Sequence, residues 1–223
     1  MCDEYKVSLI EDAAESLGSY YDNNHTGSYG KIAILSFNGN KVITTGGGGM
    51  ILTNDEELSN KAKYLTTQAK DDPVRYIHNE VGYNFRLTNI QAALGLAQFE
   101  ELPNFLISKK NIYQRYVSAL EDIDGLLMAK VPAYAENNHW MNLVQIDSNK
   151  YGMDRETLMS YLKSKGIQTR PVWALNHLQK PFKKSQSYKI DKAEELVDNS
   201  LCIPSSNGLT EIDIDNVIGA LNG

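Results

Sequence analysis

The sequence has few cysteines, no long apolar run and no excess of positive charge, and each absence excludes a class of protein. Cys2 and Cys202 are the only two cysteines among 223 residues, and their separation fits no metal-ligand spacing. A disulfide framework is therefore not expected, whereas a reducing compartment is. No stretch approaches the roughly 20 apolar residues of a membrane-spanning helix, and the charged first residues do not resemble a signal peptide. We expect a soluble, cytoplasmic protein.

The composition is typical of a globular protein that binds neither nucleic acids nor membranes. Hydrophobic residues make up 42% of the chain and charged residues 22%, so disorder is not expected. The formal net charge of -6 argues against non-specific binding to nucleic acid or to an anionic membrane. The four histidines, His25, His78, His139 and His177, show no zinc-ligand spacing. A chain of this length can bury a full core in one or two domains.

Apolar runs and capping residues predict an α/β fold. Helices are expected where a capping residue precedes a helical pattern, and strands where a short apolar run ends in polar or turn residues. We predict a first domain over 1–103, a connecting helix over 104–125 and a second domain over 126–223. The predicted strands are Val7–Ile10, Ile32–Phe37, Met50–Thr53, His139–Ile146 and Ile167–Val172, and the predicted helices are a turn at Ala13–Leu17, 54–66, Asn89–Leu102, Asn104–Leu120, Asp154–Lys165 and Thr210–Leu221.

Two side chains with complementary chemistry lie next to predicted strands. Asp12 follows the apolar run Val7–Ile10, and Lys41 comes twenty-nine residues later, shortly before Thr-Thr and four glycines. The carboxyl ends of strands in an open α/β sheet face the ligand crevice. A lysine amine can form a Schiff base with pyridoxal 5'-phosphate (PLP), and a carboxylate can keep the pyridine nitrogen protonated so that the ring accepts electrons. The pattern therefore indicates a PLP site.

The same residues also have ordinary structural interpretations. On spacing alone, Asp12 is more often a helix N-cap, and most loop lysines such as Lys41 are simply solvated. Ser36 ends a predicted strand, although its hydroxyl could also donate to a phosphate. The glycine run 46–49 precedes a strand and matches neither G-x-x-x-x-G-K-[ST] nor G-x-G-x-x-G. A nucleotide-cradling loop is therefore a weak interpretation of these glycines.

Five blocks of sequence, in order, resemble the fold type I, PLP-dependent nucleotide-sugar aminotransferases of the DegT/StrS class. The resemblance covers nearly the whole chain. It implies that 1–103 is the C-terminal part of the PLP-transferase large domain, with a mixed, mostly parallel sheet, and that 126–223 is a small C-terminal α/β domain. The blocks are Glu-Asp-Ala-Ala from Glu11, Ser-Phe to the glycines from Ser36, Gly-Tyr-Asn-x-Arg-x-Thr-Asn-Ile-Gln-Ala-Ala from Gly82, Arg170-Pro171 followed by His177, and Leu-Cys-Ile-Pro from Leu201.

The resemblance implies cofactor contacts for five residues. Lys41 would be the Schiff-base lysine, Asp12 the partner of the pyridine nitrogen, and Ser36 a ligand of the cofactor phosphate. Asn84 would reach that phosphate from a neighbouring subunit, which implies a homodimer with shared active sites. Glu15 stands where many members have glutamine, and a carboxylate beside the cofactor's phenolic oxygen would repel it unless the carboxyl group carries a proton.

The resemblance also implies a reaction and a substrate class. Arg86, Arg170 and His177 would contact a nucleotide-linked sugar. The enzyme would transfer an amino group, with glutamate as donor, to C4 of a nucleotide-linked 4-keto-6-deoxy sugar in surface-polysaccharide or glycan precursor synthesis. The motifs are most similar to those of enzymes acting on UDP-4-keto-6-deoxy-N-acetylhexosamines. Related dehydratases that use pyridoxamine phosphate have histidine in place of the lysine, so Lys41 favours the aminotransferase.

Members of this class carry roughly another half-domain before the aspartate. We therefore expect the chain to be an N-terminally truncated form that binds PLP weakly and turns over poorly. A different interpretation is a remnant without catalysis, which only dimerises or binds a sugar nucleotide. Yellow colour on purification that is lost in Lys41→Ala would distinguish the enzyme from the remnant.

Overall fold

The computed structural model describes residues 1–223, which form two compact units. The first comprises Met1–Leu106 and Val131–Trp140, and the second comprises Ile107–Lys130 and Met141–Gly223. The two units differ from the predicted division at Val131–Trp140. This segment belongs to the first unit although it lies beyond residue 126. The predicted domain bounds remain a prediction. None of the helices combines the length and the apolar character that a membrane crossing requires.

The first unit contains two small sheets. Strands β1 (Ile10–Asp12), β4 (Ile32–Ser36) and β5 (Gly49–Leu52) form a mixed sheet in the order β1-β4-β5, in which β1 is parallel and β5 antiparallel to β4. A second sheet consists of β2 (Tyr20–Tyr21), β3 (Asn24–His25) and β7 (Ala135–Glu136), in the order β3-β2-β7. The helices of this unit are α1 (Glu56–Thr66), α2 (Asn89–Glu100) and the first turn of α3 (Leu102–Leu120).

The register of the mixed sheet brings two predicted site residues to one edge. Asp12 pairs with Ile34 across the parallel strands β1 and β4, and Ser36 ends β4. Their side chains therefore lie at the carboxyl ends of neighbouring parallel strands. The predicted bounds of the first strand, Val7–Ile10, are wrong. Pairing with β4 begins only at Ile10, and the strand extends to Asp12. The predicted helical turn at 13–17 is instead a series of hydrogen-bonded turns that includes Gly18 at φ +81°.

The second unit is an antiparallel sheet covered by helices. Its strand order is β6-β8-β10-β9, and its buried core includes Tyr116, Val144, Leu158, Leu201 and Leu221. The strands are β6 (Leu126–Met128), β8 (Asn142–Ile146), β9 (Arg170–Pro171) and β10 (Ser200–Ile203). The helices, besides α3, are α4 (Ser148–Tyr151), α5 (Arg155–Ser164), α6 (Asp191–Asp198) and α7 (Glu211–Asn222), with short 3-10 turns at Asn176–Leu178 and Lys180–Phe182.

Two predicted strands are shorter than expected, for physical reasons. The strand predicted from His139 begins at Asn142, because His139 has a left-handed backbone at φ +48° that no strand accommodates. The strand predicted over Ile167–Val172 is reduced to Arg170–Pro171. Proline has no backbone N–H to donate, so it does not extend a ladder.

Lys109 is buried in the second unit and gives that unit a predicted pH dependence. Its Nζ donates to the carbonyl oxygen of Ser205 at 2.8 Å, and burial lowers its pKa from 10.5 to about 8. Between these two pH values the unfolded chain binds more protons than the folded one, so the free energy of unfolding rises with pH. At 1.36 kcal/mol per pKa unit, the rise is at most about 3 kcal/mol.

We expect Lys109→Met to remove this rise. Urea unfolding followed by circular dichroism, at pH values from 7.5 to 9.5, measures it in both proteins. Tyr116, whose pKa burial raises to about 12, affects stability mainly above this range. An unchanged slope in the variant would show that Lys109 does not titrate near 8.

Candidate active site

Lys41 lies in the turn between β4 and β5, with its amine held between an acid and an aromatic ring. Its side chain is 13% exposed, and its Nζ lies 3.2 Å from Glu15 Oε1. The same Nζ lies 4.2 Å from the centroid of the Trp140 ring. Glu15 itself is 59% exposed. The amine is thus fixed by two neighbours, one of which, Glu15, is largely exposed to solvent.

The loop that carries Lys41 is held by threonines and requires glycine. Thr44 Oγ1 donates to the Phe37 carbonyl at 3.0 Å, and the Thr44 N–H donates to Gln98 Oε1 on α2 at 2.9 Å. Gly48 has a left-handed backbone at φ +87°, and a Cβ at Gly49 would collide with the carbonyl oxygen of Leu35. These glycines return the chain closely against β4 rather than cradle a ligand by themselves.

Asp12 and Ser36 both form local hydrogen bonds at the edge of the sheet. Asp12 Oδ1 accepts from the N–H of Ala14 at 3.2 Å, and Ser36 Oγ accepts from the N–H of Asn38 at 3.3 Å. Asp12 is exposed and Ser36 is partly buried. The aspartate therefore caps a turn rather than a helix. The Glu15 carboxylate, three residues after Asp12, contacts the Lys41 amine. Asp12, Glu15 and Lys41 therefore lie in the same part of the first unit.

Glu11, the residue before Asp12, has a structural role that sequence reasoning missed. Its carboxylate accepts hydrogen bonds from the N–H groups of Gly27 and Tyr29, both at 2.7 Å, and from that of Gly30. Three backbone donors on one carboxylate fix the turn that precedes β4. The Glu-Asp pair thus combines one acid that holds the backbone with one that faces the open edge.

Two further residues next to Lys41 were also missed. Asn138 donates from Nδ2 to the carbonyl oxygens of Glu15 and Leu17, at 2.9 and 3.0 Å. The indole N–H of Trp140 donates to the carbonyl oxygen of Asn40. Both lie about a hundred residues after the loop that they contact and belong to no motif. Asn138 has no sequence signal, and the only one for Trp140 is that tryptophan is rare, with two in the chain.

Asn84 and Arg86 lie in the first unit, on the stretch before α2. Both are exposed, and Asn84 forms an isolated antiparallel bridge with Thr67. Thr88 begins α2 with a complete capping box, in which its side chain and that of Gln91 bond each other's backbone N–H groups. The helix thus fixes the end of the segment that carries both predicted contacts.

Arg170 and His177 lie in the second unit. Arg170 is exposed on β9, where the Gln168 side chain, with its amide oriented to accept, lies 2.8 Å from the guanidinium. His177 lies in a 3-10 turn, and its Nε2 is 3.7 Å from Glu194 Oε1. Their predicted contacts with a sugar nucleotide remain predictions.

The side chains of the first unit fit PLP by their chemistry. Lys41 offers a primary amine for the aldehyde, Asp12 an exposed carboxylate for the pyridine nitrogen, and Ser36 a hydroxyl for a phosphate oxygen. None of these groups is committed to an internal ion pair except Lys41, whose partner is the exposed Glu15. The donor set is therefore available to a ligand.

Comparisons with known proteins match nearly the full chain to one family. The model of the DegT/DnrJ/EryC1/StrS aminotransferase family matches residues 1–222. The chain is 38% identical over 225 residues to EpsN of Bacillus subtilis, provisionally named a pyridoxal phosphate-dependent aminotransferase, and covers 57% of it. It is also 38% identical over 220 residues to the GDP-perosamine synthase of Caulobacter vibrioides and covers 59% of that protein. These matches include 99% and 98% of this chain.

A solved structure shows the same fold. The aminotransferase TlmJ from Streptoalloteichus hindustanus superposes with a TM-score of 0.90 at 27% identity, over 99% of this chain and 59% of that one. The predicted α/β fold is confirmed. The chain thus spans somewhat more than half the length of the relatives that it matches.

Proposed function

Because the chain belongs to the DegT/DnrJ/EryC1/StrS aminotransferase family, we propose that it serves in the PLP-dependent transfer of an amino group to a nucleotide-linked sugar. The acceptor is the C4 keto group of a 4-keto-6-deoxy sugar, and the donor is an amino acid, glutamate. The observation that carries the proposal is the position of the Lys41 amine, on the loop that follows Ser36 at the end of β4 and 3.2 Å from Glu15, which lies three residues after Asp12.

In the proposed reaction each residue has a distinct task. PLP, when bound, supplies an electron sink that lets an amino donor release its nitrogen and a ketone accept it. Lys41 anchors the cofactor and then acts as the general base that moves the proton at the donor Cα. Asp12 keeps the pyridine nitrogen protonated, and Ser36 donates its hydroxyl to the phosphate. Glu15 accepts a hydrogen bond from the Lys41 ammonium, since their heavy atoms are 3.2 Å apart.

A homodimer with shared active sites is part of the proposal. The whole of α2 contributes no buried side chain, although Ile90, Leu96 and Phe99 are apolar and are 84%, 61% and 57% exposed. A helix that is apolar all round is normally buried by neighbours, so this exposure favours an interface. Asn84, exposed just before this helix, would then reach the cofactor phosphate of the neighbouring subunit. Arg86, Arg170 and His177 would contact the sugar nucleotide.

The nucleotide is the finer part of the proposal and has its own test. The sequence motifs favour a UDP-linked N-acetylhexosamine, whereas the similarity to GDP-perosamine synthase favours a GDP-linked sugar. We expect glutamate-dependent amination of one of these two 4-keto-6-deoxy sugars at least about tenfold faster than of the other, because a missing hydrogen bond to a base costs about a factor of ten. Mass spectrometry of the product, with a TDP-linked keto sugar as the comparison, measures the preference. Amination of none of the three would contradict the proposed substrate class.

One observation favours the second candidate, a remnant that binds or dimerises without turnover. One face of the mixed sheet exposes Ile10, Ile34 and Ile51, which are 70%, 42% and 43% exposed. Sheets that contain parallel strands are normally covered on both faces. Without further polypeptide over this face, the first unit would hold PLP weakly. Visible absorbance after addition of PLP, compared between the chain and Lys41→Ala, separates the enzyme from the remnant.

A further inference from the structure

We propose that Trp140 is a positioning residue for Lys41, and that the segment 137–140 sets the direction of the amine from both sides. This inference rests on the proposed role of Lys41. Trp140 is 8% exposed, its ring face lies 4.2 Å from Nζ, and its indole N–H bonds the carbonyl oxygen of Asn40, the residue directly before the lysine. One side chain therefore contacts both the reacting end of Lys41 and the backbone from which it extends.

The same segment also holds the other neighbour of the amine. Asn138 is 4% exposed, and its Nδ2 bonds the carbonyl oxygens of Glu15 and Leu17. Its Oδ1 accepts from the N–H of Trp140 at 3.0 Å, and its own N–H donates to Ser19 Oγ at 3.1 Å. The position of the Glu15 backbone and the position of the Trp140 ring are thus coupled through one buried amide.

The backbone of the segment is bent so that these contacts can form together. His139 has φ +48°, a left-handed conformation that residues with a side chain adopt reluctantly, and is 7% exposed. Such a conformation persists when the surroundings determine it. Here the side chains on either side, those of Asn138 and Trp140, are both buried and hydrogen-bonded.

Electrostatics explain why this arrangement directs the amine. The face of an indole ring is negative and attracts an ammonium group, and tryptophan is the strongest such partner among the side chains. Lysine has a flexible four-carbon stem whose end is otherwise free to sample many positions. With the Trp140 ring centroid 4.2 Å from Nζ and the Glu15 carboxylate 3.2 Å from it, the amine is confined by two neighbours. A confined amine is already oriented for attack on an aldehyde.

The test compares Trp140→Phe, which keeps an aromatic face but loses the indole N–H, with Trp140→Leu, which loses both. Trp173→Phe is the control, since it changes the other tryptophan of the chain. Competitive amine labelling with mass spectrometry gives the reactivity of Lys41 relative to Lys61. The Nζ of Lys61 also lies near an aromatic ring, 5.3 Å from that of Tyr64, and pairs with Glu80, although its side chain is 48% exposed.

We expect the labelling of Lys41 relative to Lys61 to fall about tenfold in Trp140→Leu and by less than about threefold in Trp140→Phe. The rate at which PLP attaches to Lys41 should fall by a similar factor in Trp140→Leu and recover in Trp140→Phe. If Trp140 had only a structural role, the labelling of Lys41 and of Lys61 would change by the same factor, or the two Trp140 variants would have the same effect. Either result would overturn the inference. If the parent chain fails to attach PLP, the proposed function fails, and the labelling ratio alone still decides whether Trp140 positions Lys41.

A second measurement serves if Trp140→Leu does not fold. In the Trp173→Phe background, fluorescence reports Trp140 alone. We expect Lys41→Met to change its emission intensity and Lys61→Met to leave it unchanged. Equal emission in both lysine variants would show that the amine does not lie on the ring.

Discussion

Replacing Lys41 with alanine is expected to abolish amino transfer, with a fall of more than about a thousandfold in the reaction with glutamate. In the proposed reaction, the variant loses both the amine that would anchor the cofactor and the base that would move the Cα proton. Glu15, the ionisable side chain in contact with Nζ, cannot replace the amine, because a carboxylate does not condense with the aldehyde of the cofactor. Stopped-flow absorbance during a single turnover with glutamate measures the loss.

The matched control for this variant is Lys61→Ala. Lys61 lies in the same unit, pairs with a glutamate and lies over an aromatic ring, as Lys41 does, but its partners, Glu80 and Tyr64, are not predicted site residues. Its replacement should leave the reaction with glutamate unchanged within about twofold, as for a surface substitution. Equal losses in the two variants would refute a special role for Lys41.

Replacing Asp12 with asparagine is expected to slow the reaction about a hundredfold or more while PLP still attaches to Lys41. A neutral amide cannot hold the pyridine nitrogen protonated. The ring would then stabilise the negative charge that develops at the donor Cα less well. Asparagine keeps an oxygen that can accept from the Ala14 N–H, so the turn after β1 is preserved. Single-turnover rates together with the visible spectrum separate slower chemistry from lost binding.

Asp22→Asn is the control for the aspartate. Asp22 is exposed in the same unit and has φ +44°, a left-handed conformation that asparagine tolerates. Its loss changes the net charge by the same amount without touching the edge of the sheet. An equal reduction in both variants would mean that charge alone, rather than a contact with the cofactor, explains the effect.

Elements with local signals could be predicted from the sequence. The Thr88–Gln91 and Thr210–Asp213 capping boxes give α2 and α7 their first residues, and both are present in the structure. Capping depends on side chains three residues apart, so the information lies within one turn. By contrast, α6 was missed. Its N-cap is Ile190, which makes no side-chain hydrogen bond to the helix.

Contacts between distant parts of the chain could not be predicted in this way. The pairing of Tyr20 with Glu136 joins strands more than a hundred residues apart, and each strand has only two residues. The candidate site shows the same division. Asp12, Ser36 and Lys41 follow from strand ends and motifs, whereas Trp140 and Asn138 become visible only when their side chains are seen against Lys41 and Glu15. Short-range patterns encode the donors but not the groups that hold them.

Attachment of PLP to the ε-amino group of Lys41 can be tested directly by peptide mapping. The chain is mixed with PLP, reduced with borohydride, digested and analysed by mass spectrometry. We expect a phosphopyridoxyl group on the peptide that contains Lys41, at an occupancy well above that of any other lysine. Equal labelling across the surface lysines, or none at Lys41, would contradict it.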